Sequence, residues 1–374
     1  MTSLINHSRP VLYLAATGHG FGHAVRISTV AAAIQKLNPE ILLIFATTAP
    51  RWLLESYIPG DFIYRPRAFD VGVIQSDSFQ MDKPATLEKM QEIYKKRNAL
   101  IAGEINFIKT NKVNLILADI PPLMAPIAKL AGIPCWMMSN FGWDFIYEAW
   151  GEEFDDIVNW IKDCYQQCDR LFRLPMAEPM NAFNSIIDVG LTGGTPHYSS
   201  EELRTKFKII AAQDKTILLT FGGLGLDQIP YQNLARFSDW QFITFDRQAP
   251  DLPNIIKISE PLLRPVDFMP ICSKVISKPG FSTFSETMRL DVPIVSLTRD
   301  DFAEAHLLLE GIENYADHQI IDTETFYQGN WEFLNKSPHP PKIGKILRKD
   351  GAEMIAQAVV DFFEDCRKNL SSDL

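Results

Sequence analysis

The chain has no apolar run approaching the ~20 residues that cross a bilayer as a helix. Its opening segment, residues 1–10, is polar and lacks the hydrophobic core of a secretory leader. Cysteine is scarce, with five scattered positions in 374 residues, which suits reduced thiols in a cytoplasm better than a disulfide framework. Cys164 and Cys168 stand one helical turn apart, a spacing that buried packing explains better than metal binding. Excess positive charge is also missing. Lys and Arg number 36 against 46 Asp and Glu, a formal net charge of −10, which argues against a nucleic-acid partner. No Asp-x-Asp pair occurs, so a common carboxylate pair for a divalent cation is absent, and neither metal nor cofactor is expected. No Gly-Lys-Ser/Thr is present to form a P-loop. Low-complexity tracts and short repeats are absent. The expectation is a soluble cytoplasmic protein without a transmembrane segment; composition leaves peripheral membrane contact open.

What is present is alternation. The length suits two domains, and 46% hydrophobic with 22% charged residues is ordinary for a globular chain. Apolar runs at Val11–Ala16, Ile41–Ala46, Leu115–Ala118 and Cys135–Ser139 predict strands, with helices at Ile27–Leu37, Thr86–Lys109 and Leu123–Ala131 between them. A second series predicts strands at Thr216–Phe221, Gln241–Phe245, Lys274–Ser277 and Ile294–Ser296, with helices at Ser285–Leu290 and Ala305–Glu310. Continuous apolar strands separated by helices imply parallel sheets covered on both faces. Leu174–His197 reads as a hinge, and Asp350–Lys368 as one amphipathic helix. The expected class is α/β, with two doubly wound Rossmann-like domains facing a cleft: residues 1–190, residues 198–349, and a terminal helix over 350–374 that crosses back to the first domain. Ligands bind at the carboxyl ends of such sheets.

Three glycine turns carry the chemistry. Gly18-His19-Gly20-Phe21-Gly22-His23-Ala24-Val25-Arg26 joins the first strand to a helix, where backbone N–H groups and the helix dipole converge on an anion. Its G-x-G-x-G spacing is not that of a dinucleotide turn, and the second strand ends in Thr47-Thr48 without an acidic residue for a ribose. Imidazoles in such a turn suit proton transfer near neutral pH. Thr220-Phe221-Gly222-Gly223-Leu224-Gly225 is a second strand-to-glycine turn. The third, Ser277 to Glu286 followed by Pro293, offers hydroxyls, a helix start and a carboxylate. Phosphates want the N–H groups, and vicinal ribose hydroxyls want the carboxylate. Ser282 or Thr283 as N-cap, supported by Glu286, is the compatible structural role.

The segment Ser277–Glu286 with Pro293 resembles the donor-site signature of two-domain GT-B glycosyltransferases, and Gly18–His23 resembles their first glycine loop. The similarity is greater to the glycosyltransferase-like N-terminal half of plant arabinokinase-type proteins. It runs through Gly18–Arg26, Asp70–Leu87 (DVGVIQSDSFQMDKPATL), Ser139–Tyr147 (SNFGWDFIY), Val275–Glu286 and Arg299–Glu304 (RDDFAE), from about Val11 to Tyr315. The kinase half of those proteins is absent, so kinase activity is not expected.

The resemblance implies a nucleoside diphosphate sugar donor, with UDP-sugar favoured, and a hydroxyl acceptor of unknown identity. It places Gly280 and Thr283 near the donor phosphates, with Ser282 between them, Glu286 at the ribose and Glu304 at the sugar hydroxyls; the turn with Gly222 and Gly223 is expected to bring its N–H groups to the same phosphates. His23 matches the family base, with His19 as its neighbour. Asp119, at a strand end, orients His23, binds an acceptor hydroxyl or caps the next helix. Gly20, Gly22, Arg26, Trp143 and Asp144 are expected on the acceptor side, and Arg26 or Arg264 beside the departing diphosphate. Asp77 and Asp82 lie in a polar loop that could reach the cleft, with solvated loop carboxylates the simpler expectation. Relatives carry Gln or Asn after an acidic residue in the sugar loop, where this chain reads Asp301-Phe302-Ala303-Glu304; the donor sugar is therefore left open. A metal-independent transferase is the leading expectation. A sugar-nucleotide epimerase, a hydrolase and a non-catalytic binding module of the same fold are the alternatives.

Overall fold

The computed structural model describes residues 9–75, 81–222 and 229–372. Among them, one sheet contains β1 (Val11–Ala16), β2 (Leu42–Ala46), β3 (Ile63–Arg65), β4 (Leu115–Asp119), β5 (Cys135–Ser139), β6 (Arg170–Arg173) and β7 (Ile186–Asp188). Its order is β3-β2-β1-β4-β5-β6-β7. A second sheet contains β8 (Thr216–Leu219), β9 (Gln241–Thr244), β10 (Ile255–Lys257), β11 (Lys274–Ser277), β12 (Ile294–Leu297) and β13 (His318–Ile321), in the order β10-β9-β8-β11-β12-β13. Every pairing between these strands is parallel.

Alternation along β1 explains its unbroken apolar run. Leu12 and Leu14 enter the core on one face, Tyr13 and Ala15 the core on the other, so all six residues are buried. In each sheet the chain winds outward to one edge, then returns beside the first strand and winds to the other. The reversal falls between β1 and β4 and between β8 and β11, and the loops leaving those strands diverge there to open a crevice. The glycine turns after β1, β8 and β11 all start at these two points.

The helix Gly351–Ser372 follows the second sheet in the chain but packs on the first. Ile355, Ala356, Val359 and Phe363 share a core with Ala24, Ile27, Ala31 and Ile34 of α1 (Gly22–Leu37). Phe362 meets the edge of Trp136 at 5.5 Å. The same core includes Phe281, Phe284 and Leu308 from helices of the second sheet, so apolar packing is continuous between the halves.

Several boundaries differ from the sequence expectation. α1 begins at Gly22 rather than Ile27, and the helix after β11 covers Phe281–Arg289, because both turns pass straight into helix without a side-chain cap. The hinge segment 174–197 contains β7, a three-residue edge strand paired with β6. At that length, alternation leaves no readable pattern.

Candidate active site

The two crevices face each other across a cavity of about 500 Å³. One wall is the turn after β1, α1 and α2 (Arg51–Tyr57); the other is built from the loops after β8, β9, β10, β11 and β12. Gly20 and Gly222 line it with φ of +59° and +78°, left-handed conformations that side-chain-bearing residues adopt at a cost. α1 and the helix Phe281–Arg289 both start at the cavity with no side-chain cap on their first N–H groups, leaving two sets of donors for an anion.

His23, in the first turn of α1, is 5% exposed and lines the cavity. Its Nδ1 lies 2.8 Å from Oδ1 of Asp119, which ends β4 in register with Ala16 of β1. Asp119 is wholly buried. Burial pushes its carboxyl up, but Arg26 and then His23 outweigh that and hold it below the usual range. An ionised Asp119 only accepts, so this contact calls for a proton on Nδ1, while Arg26 Nη2, itself a donor, lies 3.0 Å from the same nitrogen. Arg26, one turn along α1, grips both Asp119 oxygens, through Nε to Oδ2 and through Nη2 to Oδ1 at 2.7 Å. The same guanidinium donates to Ser139 Oγ at 2.7 Å and to Asn140 Oδ1 at 2.6 Å.

His19 also lines the cavity, with Nδ1 3.0 Å from the Val73 carbonyl. Burial, with His23, Lys278 and Arg299 nearby, pushes it down to about 3, so it is a neutral imidazole. Trp143 lies edge-on to His19 at 5.8 Å and tilted against His23 at 5.7 Å. Beneath it Thr17 donates to Asp70 at 2.6 Å. Burial and the nearby Asp119 charge push Asp70 up to about 7, against the opposing Thr17 bond.

On the other wall, Glu286 is 3% exposed and accepts from the Gly194 N–H at 3.0 Å and the Tyr57 hydroxyl at 3.3 Å. Burial raises it to about 7, with Gly194 and Arg264 opposing. Glu304 accepts from Asn140 Nδ2 at 2.9 Å. Ser282 donates to the Gly22 carbonyl at 3.0 Å. Lys278, Arg299 and Arg247 bring positive charge to the lining.

Most expected site residues meet here: His19, Gly20, Gly22, His23, Arg26, Gly222, Gly280, Ser282, Thr283, Glu286 and Glu304 line one cavity, with Asp119 directly beneath His23. Gly223 and Asp77 lie outside the described residues. Trp143 and Asp144 do not reach the lining. Trp143 is fully buried behind the histidines; Asp144 is pushed up to about 7 by burial and by Glu178, and Phe141 lines the cavity in their place. Arg26 and Arg264 are paired with Asp119 and Asp267, and Lys278, Arg299 and Arg247 line the same cavity. The expected cap by Ser282 or Thr283 is not formed, since the helix starts at Gly280–Phe281. Asp82 caps the helix Lys83–Thr110 by accepting from Ala85 N at 2.9 Å. Among the described residues no three His, Cys, Asp or Glu side chains gather as a metal site, and no helix is long and apolar enough to cross a membrane.

Tyr57 and Asn140 were missed. Tyr57 is 229 positions from Glu286 and carries no local signal. Asn140 sits inside the SNFGWDFIY segment, at a strand end facing the crevice, which is a signal by position.

No family model matches the chain. Over 326 residues, 84% of its length, it is 30% identical to L-arabinokinase of Arabidopsis thaliana, and it spans 31% of that protein. Among solved structures, the glycotransferase of kitacinnamycin superposes with a TM-score of 0.59 over 96% of this chain and 99% of its own, at 13% identity. UGT89C1 of Arabidopsis thaliana, complexed with quercetin, gives 0.59 over 88% and 90% at 14% identity. The fold is GT-B. UGT2 of Phytolacca americana, complexed with UDP-2fluoro-glucose and pterostilbene, agrees at 0.58 over 87% and 89% with 12% identity. The GT-B arrangement of two facing parallel sheets is what brings the turns after β1 and β11 together, and at these identities the shared property is the fold.

Proposed function

We propose that the chain transfers a glycosyl unit from a nucleoside diphosphate sugar, UDP-sugar favoured, to a hydroxyl acceptor. The observation that carries this reading is the His23–Asp119 pair in the wall of a GT-B cleft. An acceptor hydroxyl attacks the anomeric carbon and the bond to the diphosphate oxygen breaks. The hydroxyl proton passes to His23 Nε2, while Asp119 steadies the imidazolium that forms. Charge on the departing diphosphate is met by the uncapped helix starts with Lys278 and Arg299, so the step in this reading needs no metal. Glu286 takes the ribose hydroxyls and Glu304 the sugar. Residues 1–190 serve the acceptor and 198–349 the donor, and closure between them excludes water that hydrolyses the donor. The glycosyltransferases among the structural neighbours support the reaction class.

The test is calorimetric titration with nucleoside diphosphates and their sugar conjugates, followed by turnover of whichever conjugate binds. Binding of a conjugate with sugar transfer lost in His23→Ala supports the reading; no binding of any of them sinks it. The match to part of a kinase favours a second reading, a non-catalytic nucleotide-sugar module. That reading requires binding without turnover for every acceptor offered. Free sugar or an interconverted donor as product identifies a hydrolase or an epimerase.

A further inference from the structure

Five side chains form an unbroken hydrogen-bonded line from the base to the opposite half of the molecule. His23 meets Asp119, Asp119 is gripped by Arg26, Arg26 Nη1 donates to Asn140 Oδ1 at 2.6 Å, and Asn140 Nδ2 donates to Glu304 Oε1 at 2.9 Å. Asn140 is wholly buried and does not line the cavity. It follows β5 in the first sheet, whereas Glu304 opens the helix Ala303–Tyr315 after β12 in the second.

The demand at position 140 is chemical. Arg26 offers only donors and needs an acceptor; Glu304 Oε1 accepts and needs a donor. A carboxamide presents one of each on a short planar group. A carboxylate there sets two negative charges against each other, and an ammonium repels Arg26.

We propose that Asn140 is a positioning residue that ties the setting of the His23 ring to the half of the molecule carrying Glu304. The base is then held in register when the two halves are docked. Asn140 touches neither substrate and acts through Arg26 and Asp119. A donor sugar held by Glu304 steadies the base through this line, whereas a bare nucleoside diphosphate does not reach it. The assignment of His23 as base and Glu304 as sugar contact rests on the glycosyl-transfer reading.

The experiment uses the full chain labelled with 15N-histidine, with the His23 signals assigned by their loss in His23→Gln. Wild type is expected to show His23 protonated at Nδ1 alone. Asn140→Asp keeps the acceptor for Arg26 but repels Glu304, and it should move the His23 ring signals toward mixed tautomers. Asn140→Asp combined with Glu304→Gln restores a donor facing an acceptor and should bring them back. A His23 spectrum unmoved in Asn140→Asp overturns the proposal, as does failure of the folded double variant to restore it. If Asn140→Asp does not fold, Glu304→Ala in the far half must move the same signals, and an unmoved spectrum is equally decisive. A second arm titrates UDP and UDP-glucose. Asn140→Asp should lose about tenfold of the preference for UDP-glucose over UDP, at the low end for a hydrogen bond to a charged group, with UDP affinity unchanged. Unchanged preference overturns the sugar end of the line. If wild type binds neither ligand, the glycosyl-transfer reading fails, and the histidine spectra still decide the role of Asn140.

Discussion

At the scale of single residues, two carboxylates in similar burial differ because of their partners. Asp119 has Arg26 on both oxygens and stays ionised, while Glu286 has a backbone N–H and a phenol and is pushed up to about 7. Each difference predicts a measurement. His23→Ala should lower donor turnover by about 10²–10⁴-fold, the usual scale of general-base catalysis, with UDP affinity unchanged; His19→Ala should cost less. A larger loss in the His19 variant would exchange their roles. For Glu286, folding raises the pKa from 4.5 to about 7, so the folded state holds the proton more tightly. That stabilisation is complete below 4.5 and is lost as pH rises through about 7. Glu286→Gln should therefore be more stable than wild type at pH 8 by about 2–4 kcal/mol, with the gap closing by pH 5. Denaturant unfolding at both pH values checks this, and a gap independent of pH would refute it. On the proposed reading, in which nucleotide hydroxyls donate to this carboxylate, Glu286→Ala should weaken UDP binding by about 1.5–3 kcal/mol.

At the scale of elements, the glycine turns do two things at once. They end a strand, and they start a helix whose first N–H groups stay uncapped toward the cavity. In the helix Phe281–Arg289 the local sequence offered Ser, Thr and Glu for a capping box, yet Glu286 reaches Tyr57 and Gly194 instead. Long-range contacts outweighed a local preference worth about 1 kcal/mol. The helix Gly351–Ser372 shows the opposite balance. Its apolar spacing was legible, and its packing follows that stripe directly. Ile355 is fully buried against α1, so Ile355→Ala should destabilise by about 2–5 kcal/mol, in the range of core truncations that leave a cavity. Because α1 also carries His23 and Arg26, unfolding monitored by denaturant should be accompanied by weaker nucleotide binding near the midpoint. Stability unchanged within about 0.5 kcal/mol would show that the terminal helix is loosely docked.

At the scale of the whole molecule, three buried carboxyls, Asp70, Asp144 and Glu286, are pushed up to about 7. All three favour the folded state in protonated form, so their stabilisation is present below about pH 4 and lost through pH 7. The thermal midpoint should fall between pH 5.5 and pH 8 in scanning calorimetry, and a rise over that interval would contradict these assignments. The halves are also joined by hydrogen bonds from Tyr57, Asn140 and Ser282. Tyr57 and Asn140 donate to Glu286 and Glu304 of the second half, and Ser282 of that half donates to the Gly22 carbonyl of the first. On the proposed reading, in which helix starts and side-chain cations meet the diphosphate charge, donor turnover should survive excess EDTA. Loss on chelation, restored by magnesium or manganese, would assign that charge to a metal.

The sequence by itself determined the two α/β series with four strands in each, the terminal helix and the three turns. These are local: period, run length and glycine spacing are written within a dozen residues. It did not disclose β3, β6, β7, β10 or β13, which at three or four residues each are defined by their neighbours rather than by their own pattern. Nor did it show that Trp143 lies behind the histidines, or that Tyr57 and Asn140 reach the opposite half. Those contacts depend on how two separately wound sheets face each other. A pairing such as Tyr57 with Glu286, or Asn140 with Glu304, separated by 229 and 164 positions, exists only once both sheets have folded and docked, and no local spacing encodes it.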